Sequence, residues 1–180
     1  MGALFVSDVS RDGKKILCYG QQKGTGQGEL YYVDLIERKK YQLTKNRLQE
    51  WGGVFSSDEK WLAYTSEKDM EGSFAIYLNR FPEMNQEIRI SAGGGEEPKW
   101  LPDGSAVYYR NGSEWMKVIL KLDNEPEIGE PELFFEGPYV NVPGPSHDIF
   151  PDGRILLLKG EEWVPPKEID VIINAVDVDP

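Results

Sequence analysis

A short motif recurs four times along the chain at a nearly constant spacing, and this repeat limits the possible folds more than any other feature. The copies are SRDG at 10–13, SSDE at 56–59, LPDG at 101–104 and FPDG at 150–153. Their aspartates are 46, 45 and 49 residues apart. A period of about 45 residues is typical of architectures that repeat a four-stranded antiparallel sheet. The spacing therefore predicts four such units.

Each copy of the motif has the chemistry of a tight turn between two strands. An aspartate accepts hydrogen bonds from backbone N–H groups just downstream, and a glycine adopts the positive φ that such turns require. The predicted structural turn residues are Asp12, Gly13, Asp58, Asp103, Gly104, Asp152 and Gly153. Glu59 stands where the other copies have glycine. Either this turn differs, or Glu59 accepts a positive φ at a cost of about 1–2 kcal/mol.

The strand after each motif is apolar on both faces. Positions four and six after the aspartate, which share one face, hold Ile16 and Cys18 in the first copy and Leu62 and Tyr64 in the second. The position between them is apolar as well, as Ala63 shows. A strand buried on both faces is expected where sheets stack on one another. The pattern predicts an all-β β-propeller of about four four-stranded antiparallel blades, either partial or unusually small.

The same spacing places the remaining strands and the blade boundaries. One domain, 1–180, is expected to contain blade 1 at about 3–46, blade 2 at about 51–92, blade 3 at about 96–137 and blade 4 at about 143–177. The predicted innermost strand of blade 1 is 4–10. Third strands are predicted at 29–35, 74–79, 114–120 and 169–176, and outer strands at 41–44, 87–91 and 132–135. The second strand of blade 4 is predicted at 154–159.

The stretch from Trp51 to Leu120 also resembles a known family. GGVFSSDEKWLAYTSE, AIYLNRFP and RISAGGGEEPKWLPDGSAVYYRNG are similar to TolB-like propeller repeats, above all the C-terminal blades of propellers attached to bacterial Ser/Thr kinases and winged-helix regulators. The resemblance runs from about Ser7 to Ala175 and is specific for fold. It implies a bacterial binding or regulatory domain, from a family that is often extracytoplasmic. The kinase and DNA-binding modules of those relatives have no counterpart in this sequence.

Composition excludes some partners. The net charge of −11 argues against nucleic acid, because binding phosphates requires clustered Lys and Arg. No stretch approaches the roughly 20 apolar residues of a membrane span, and the first residues lack the features of a signal peptide. We therefore expect no nucleic-acid or membrane partner. Cys18 is the only cysteine, so neither an internal disulfide nor a cysteine-based zinc site is possible.

No residue pattern predicts catalysis, a cofactor or a metal. His147, the only histidine, is interpreted as a strand residue with one satisfied hydrogen bond, since no nucleophile elbow accompanies it. The glycine-rich segment Ala92–Pro98 is interpreted as a connection between blades, because Glu96 and Glu97 would repel a phosphate. Asp170, Asp177 and Asp179 are interpreted as a polar tail, because calcium loops have a different spacing.

Aromatic side chains are the remaining candidates for binding. We single out Trp163, in the proline-bearing loop GEEWVPPKE, together with Trp51 and Tyr139. The predicted function is a non-catalytic scaffold that binds a protein or peptide, or a detached regulatory or sensor domain. The alternative is a metal-dependent, lactonase-like propeller hydrolase that uses carboxylates of the central channel.

The number of blades predicts self-association. Four blades that do not close would leave apolar faces on both terminal blades and an unpaired edge at 169–176. Apolar patches larger than a few hundred Å² are rare on monomers, and an open strand edge is a template for another chain. We therefore expect a homodimer formed through the first and last blades. A compact four-blade ring, with stronger twist between the blades, is the competing possibility.

Overall fold

The computed structural model describes residues 3–21, 28–45, 48–69, 72–123, 125–140 and 146–159. Within these ranges all regular structure is β-strand, arranged in four antiparallel sheets. The all-β prediction is therefore confirmed, and a partial propeller fits the arrangement. The described residues include no helix that is long and apolar enough to cross a membrane.

The first two sheets each contain four strands in sequence order. The first sheet consists of β1 (Leu4–Val9), β2 (Lys15–Gln21), β3 (Gly28–Asp34) and β4 (Lys39–Gln42). The second consists of β5 (Glu50–Phe55), β6 (Trp61–Ser66), β7 (Ala75–Arg80) and β8 (Ile88–Arg89). The strand ends differ from the predicted ones by a few residues at most, because hydrogen-bond pairing rather than side-chain pattern decides where a strand ends.

The third sheet has one strand more than predicted. It consists of β9 (Glu96–Trp100), β10 (Ala106–Asn111), β11 (Glu114–Lys121), β12 (Glu127–Ile128) and β13 (Glu132–Glu136). Both β12 and β13 pair with β11, at opposite ends of that strand. The single expected outer strand is thus replaced by two short ones. β11 is long enough, at eight residues, to pair with both.

The fourth sheet is a hairpin in the described part of the chain. It consists of β14 (His147–Ile149) and β15 (Ile155–Leu157), which is shorter than the predicted strand at 154–159. Tyr139 forms an isolated antiparallel bridge with Lys159. The third strand predicted at 169–176 lies outside the described residues.

The four motifs lie in the turns between the first and second strands of the sheets. In the second motif, Asp58 Oδ1 accepts hydrogen bonds from Lys60 N at 3.1 Å and from Ser56 Oγ at 2.8 Å. The corresponding aspartates of the other motifs, Asp12, Asp103 and Asp152, accept the equivalent backbone bond at 2.9–3.1 Å. The glycine position has positive φ in all four turns, including Glu59 at 57°. The glutamate therefore adopts the glycine conformation, and the turn is unchanged.

The sheets stack face to face around two apolar clusters. One cluster joins the first and second sheets through Leu17, Leu30, Leu62 and Tyr64, and the other joins the second and third through Trp61, Ala63, Val107 and Tyr109. β6 supplies residues to both clusters, and all six of its residues are buried. The prediction that second strands are buried on both faces is confirmed for β6. This stacking brings the first strands of consecutive sheets into contact.

Candidate functional site

The first strands of the sheets are irregular at corresponding places. β1 has a register shift between Val6 and Asp8, and β5 has one between Trp51 and Val54. The pairing of β9 with β10 shifts between Tyr108 and Arg110. A β-bulge bends its strand and turns a side chain away from the regular alternation. The bulges therefore reorient side chains at the edge where β1, β5 and β9 meet.

A shallow pocket lies at this edge. Its lining comes from β1, β2, β5 and β9 and includes Val6, Tyr19, Trp51, Val54, Glu97, Pro98 and Lys99. The Trp51 indole packs edge-on against the Phe74 ring, with 5.9 Å between the centroids. Most of the lining is apolar, with an aromatic ring and a proline on opposite strands. Such a surface can contact an apolar group that is presented by a partner.

Three charged side chains lie beside the pocket. Lys99 Nζ is 3.4 Å from Asp148 Oδ1 on β14. Asp8 accepts hydrogen bonds from Phe55 N and Val9 N, both at 2.8 Å. Burial raises the pKa of Asp8, and the nearby ammonium of Lys99 opposes that rise. Lys99, which lines the pocket, thus lies near the carboxyl groups of Asp8 and Asp148.

Glu97, on the same wall, joins three sheets. Its N–H donates to Thr65 Oγ1 of the second sheet at 3.2 Å. Its Oε2 accepts hydrogen bonds from Ser146 N at 2.8 Å, from Ser146 Oγ at 2.5 Å and from His147 Nδ1 at 3.3 Å. The side chain is 3% exposed. A carboxylate with three donors is well placed to stay ionised, and it fastens the start of β14 to the third sheet.

Arg110 supplies the buried positive charge opposite Glu97. Its Nη2 is 3.5 Å from Glu97 Oε1 and 3.9 Å from Glu96 Oε2, and its side chain is 4% exposed. Burial acts to raise the pKa of Glu97, but the hydrogen bonds from His147 and Ser146 and the charge of Arg110 together hold it below its usual range. Burial raises the pKa of Glu96 instead. Glu97 is therefore the carboxylate that balances Arg110.

His147 completes this cluster from β14. Its side chain is fully buried, and its ring meets the Trp115 indole edge-on with 4.3 Å between the centroids. Burial lowers the pKa of His147, against the opposing effect of Glu97. Trp115, Phe135 and Tyr139 form an aromatic wall. The Trp115 indole stacks on the Phe135 ring, with 5.4 Å between the centroids, and meets the Tyr139 ring edge-on, with 6.4 Å between the centroids. The cluster thus lies behind this aromatic wall.

The arrangement does not suit nucleophilic catalysis. A serine nucleophile needs its hydroxyl hydrogen-bonded to the imidazole that removes its proton. Ser146 Oγ instead donates to Glu97, and the His147 imidazole is enclosed. Within the described ranges, no three His, Cys, Asp or Glu side chains are grouped so that they could hold a metal ion. The cluster of Glu97, Arg110, Ser146 and His147 joins the third and fourth sheets.

The sequence candidates fall in different places. Trp51 lines the pocket, and Tyr139 belongs to the aromatic wall beside His147. Trp163, like Asp170, Asp177 and Asp179, lies outside the described residues. The segment Ala92–Pro98 connects the second and third sheets, with Gly95 N donating to Phe74 O at 2.9 Å. Its last three residues already belong to β9, in contrast to the predicted connection, because Glu96 pairs with Arg110.

Sequence analysis missed Glu97 as a connecting residue, together with its partners Arg110 and Ser146. Glu97 was considered only as a charge that would repel phosphate. One signal was available: Glu97 is 45 residues after Gly52, so it occupies a glycine position of the repeat. A glutamate is not favoured by the backbone conformation of a glycine position, so its presence there indicates that the side chain has a role of its own.

The stacked sheets and their matching first strands define the class of protein: the chain has the fold of part of a β-propeller. Among solved structures it is similar to TolB from Acinetobacter baumannii, with a TM-score of 0.64 and 21% identity over 89% of this chain and 38% of that one. A putative TolB from Agrobacterium tumefaciens has a TM-score of 0.60 and 19% identity, over 74% of this chain and 50% of that one. These likenesses show a shared fold.

A third similar structure is an enzyme. Oligogalacturonate lyase from Vibrio parahaemolyticus has a TM-score of 0.62 and 14% identity, over 94% of this chain and 49% of that one. The chain thus spans half or less of the length of all three structures. No family model and no curated protein matches the sequence. The propeller fold that the resemblance to TolB-like repeats implied agrees with these solved structures.

Proposed function

We propose that this chain is a non-catalytic scaffold that binds a peptide segment of a partner protein at the pocket between β1, β5 and β9. The observation that carries the proposal is the position of Trp51, which lines a pocket built from three sheets together with Pro98 and Lys99. Trp51 is held against Phe74, so little conformational entropy is lost when a ligand packs on it. We expect an apolar side chain of the peptide to contact the apolar part of this lining.

The same fold also hosts enzymes, and the lactonase-like alternative stays a prediction. We favour the scaffold because Glu97, the carboxylate in the pocket lining, already pairs with Arg110 and accepts hydrogen bonds from Ser146 and His147. A detached regulatory or sensor domain is the form of this function that the sequence resemblance favours.

Selection from a phage-displayed library of random peptides tests the proposal. We expect enriched peptides to share an apolar residue and to lose at least tenfold in affinity for the Trp51→Ala variant. Phe134→Ala is the matched control, because Phe134 is an exposed aromatic residue on β13 that does not line the pocket. Equal loss in both variants, or no enriched peptide at all, would overturn the proposal.

We also propose that two copies associate through the first and fourth sheets. β1 supports this, because Leu4 and Val9 are 39% and 48% exposed. Leu156 and Phe150, at 36% and 41% exposed, place apolar surface on the fourth sheet. Burying apolar area of this kind stabilises association by about 25 cal/mol per Å² before the entropic costs of binding.

Light scattering at micromolar concentration tests this association. We expect twice the chain mass of 20.5 kDa for the parent chain and the single-chain mass for Val9→Lys. Ile36→Lys is the matched control, because Ile36 is 71% exposed but lies in the turn between β3 and β4. A parent chain that scatters as a monomer of 20.5 kDa contradicts the proposal.

A further inference from the structure

The attachment of the fourth sheet to the third depends on a buried polar contact. Three of the hydrogen bonds between them end on one atom, Glu97 Oε2, and come from Ser146 and His147. The ion pair of Lys99 and Asp148 adds less, because the Asp148 carboxylate is 70% exposed and solvent screens it. The stability of this junction therefore depends on the charges of Glu97 and His147.

The buried surroundings of His147 favour its neutral form. Because an ionised carboxylate only accepts, Nδ1 keeps its proton and donates a hydrogen bond to Glu97, so the neutral ring carries a lone pair on Nε2. Nε2 is buried, and no hydrogen-bond partner for it lies among the described residues. A lone pair left without a donor is tolerated, whereas a buried N–H of a charged ring without an acceptor is costly.

The charged groups around the imidazole do not compensate for a second proton. Glu97 is the carboxylate in contact with the ring, and Arg110 already pairs with it from β10. Lys99 on β9 disfavours the imidazolium, while Asp148 on β14 favours it from a solvent-exposed position. Glu96 on β9 faces Arg110 rather than His147. Two cations would therefore compete for one buried carboxylate.

We propose that His147 is a proton-sensitive latch: protonation at Nε2 releases the β14–β15 hairpin from the third sheet. The neutral ring holds the hairpin at neutral pH, and the imidazolium leaves its site because it needs water at Nε2. Glu97 lines the pocket on its other side, so release also alters the pocket wall. The latch does not depend on what the pocket binds.

The direction of the pH effect follows from linkage. Burial places the pKa of folded His147 below its ordinary value of 6.5. The unfolded or released form therefore takes up a proton first as the pH falls. The contribution of neutral His147 is fully present above pH 6.5 and is lost as the pH falls through the lowered value. The pKa of Glu97 is also below its usual range, so Glu97 stays ionised in this window.

Hydrogen exchange and NMR on the whole chain test the latch without any ligand. The chain has one histidine, so the imidazole C–H signals report His147 alone. The amide of Ser146, which donates to Glu97 Oε2 across the junction, reports the attachment of the hairpin to the third sheet. We expect its protection, corrected for intrinsic exchange, to fall at least tenfold between pH 7 and pH 5 as His147 titrates. Protection in β6 and β7 should not change.

Two variants separate His147 from the neighbouring carboxyl groups. His147→Gln cannot be protonated, so protection of the Ser146 amide should become independent of pH. Asp148→Asn, an exposed change on the same strand, should behave like the parent chain. The latch is overturned if His147 titrates at its ordinary value with protection unchanged, or if His147→Gln retains the pH-dependent loss. If His147→Gln does not fold, the titration of the parent chain alone decides between these outcomes.

Discussion

Gly52 and Glu97 occupy the same position in the first strands of consecutive sheets, and both have a left-handed backbone, with φ of 63° and 56°. Glycine adopts this conformation freely, whereas another residue pays about 1–2 kcal/mol. At this bulge the second sheet has glycine, which the left-handed conformation favours, whereas the third sheet has glutamate, which it disfavours. Glu97 is strained locally, but its carboxylate holds Ser146 and His147 of the next sheet.

Replacing Glu97 by glutamine tests this connection. The variant leaves Arg110 buried without its counter-charge, so we expect the free energy of unfolding to fall by about 3 kcal/mol. Urea denaturation measures the loss. Glu96→Gln is the matched control: burial raises the pKa of Glu96, so neutralising it should cost less than about 1 kcal/mol. Similar losses for the two variants would mean that Glu97 does not have the special role assigned to it.

A second prediction uses Arg38, which has a φ of 56° in the exposed turn between β3 and β4. Arg38→Gly should stabilise the chain by about 0.5–1 kcal/mol, because relief of the left-handed strain exceeds the added entropy of the unfolded chain. Arg38→Ala keeps the strain and removes the charge, so it should leave stability almost unchanged. Thermal unfolding of the three chains distinguishes these effects. If the unfolding temperature rises equally in both variants, the stabilisation comes from removing the charge of Arg38 and not from relieving strain.

The turn motif predicts a difference between two serines that both bond to a turn aspartate. Ser56 Oγ donates to Asp58 and accepts from the buried Trp61 N at 3.0 Å. Ser56→Ala should therefore cost about 1–3 kcal/mol, because that N–H loses its acceptor. Ser105, which bonds to Asp103, is exposed, and Ser105→Ala should cost less than about 0.5 kcal/mol. Chemical denaturation gives both values, and a reversed order would contradict this account of the motif.

Stacking of the sheets predicts a difference between Leu62 and Ile16, which occupy equivalent positions of β6 and β2. Leu62 is fully buried between the first and second sheets, whereas Ile16 is partly exposed on the outer face of the first sheet. Leu62→Ala should cost about 3 kcal/mol, the usual range for a core truncation. Ile16→Ala should cost about 1 kcal/mol, because less apolar area is lost. If Ile16→Ala lowers the free energy of unfolding as much as Leu62→Ala at micromolar protein concentration, the outer face of the first sheet is covered by another chain.

The repeat made much of the fold predictable because its signals are local. An aspartate such as Asp58 bonds to backbone groups two residues away, and the strand that follows shows its burial in its own sequence. β12 was not predictable in this way. Its two residues pair with the end of β11 only because β11 is longer than a regular blade strand and leaves Leu120 and Lys121 available. The length of β11 follows from its pairing with neighbouring strands, and no pattern in Glu127 and Ile128 indicates it.

The sequence by itself determined the period, the turns and the burial of the strands, since each depends on residues a few positions apart. Only the tertiary structure decided that Glu97 meets His147, which is 50 residues further along the chain. That contact requires a bulge in β9, a left-handed residue at the bulge and the stacking of one sheet on the next. None of these is a preference of glutamate or histidine. The junction therefore becomes visible only when the sheets are packed, because burial removes the water that would otherwise solvate both groups.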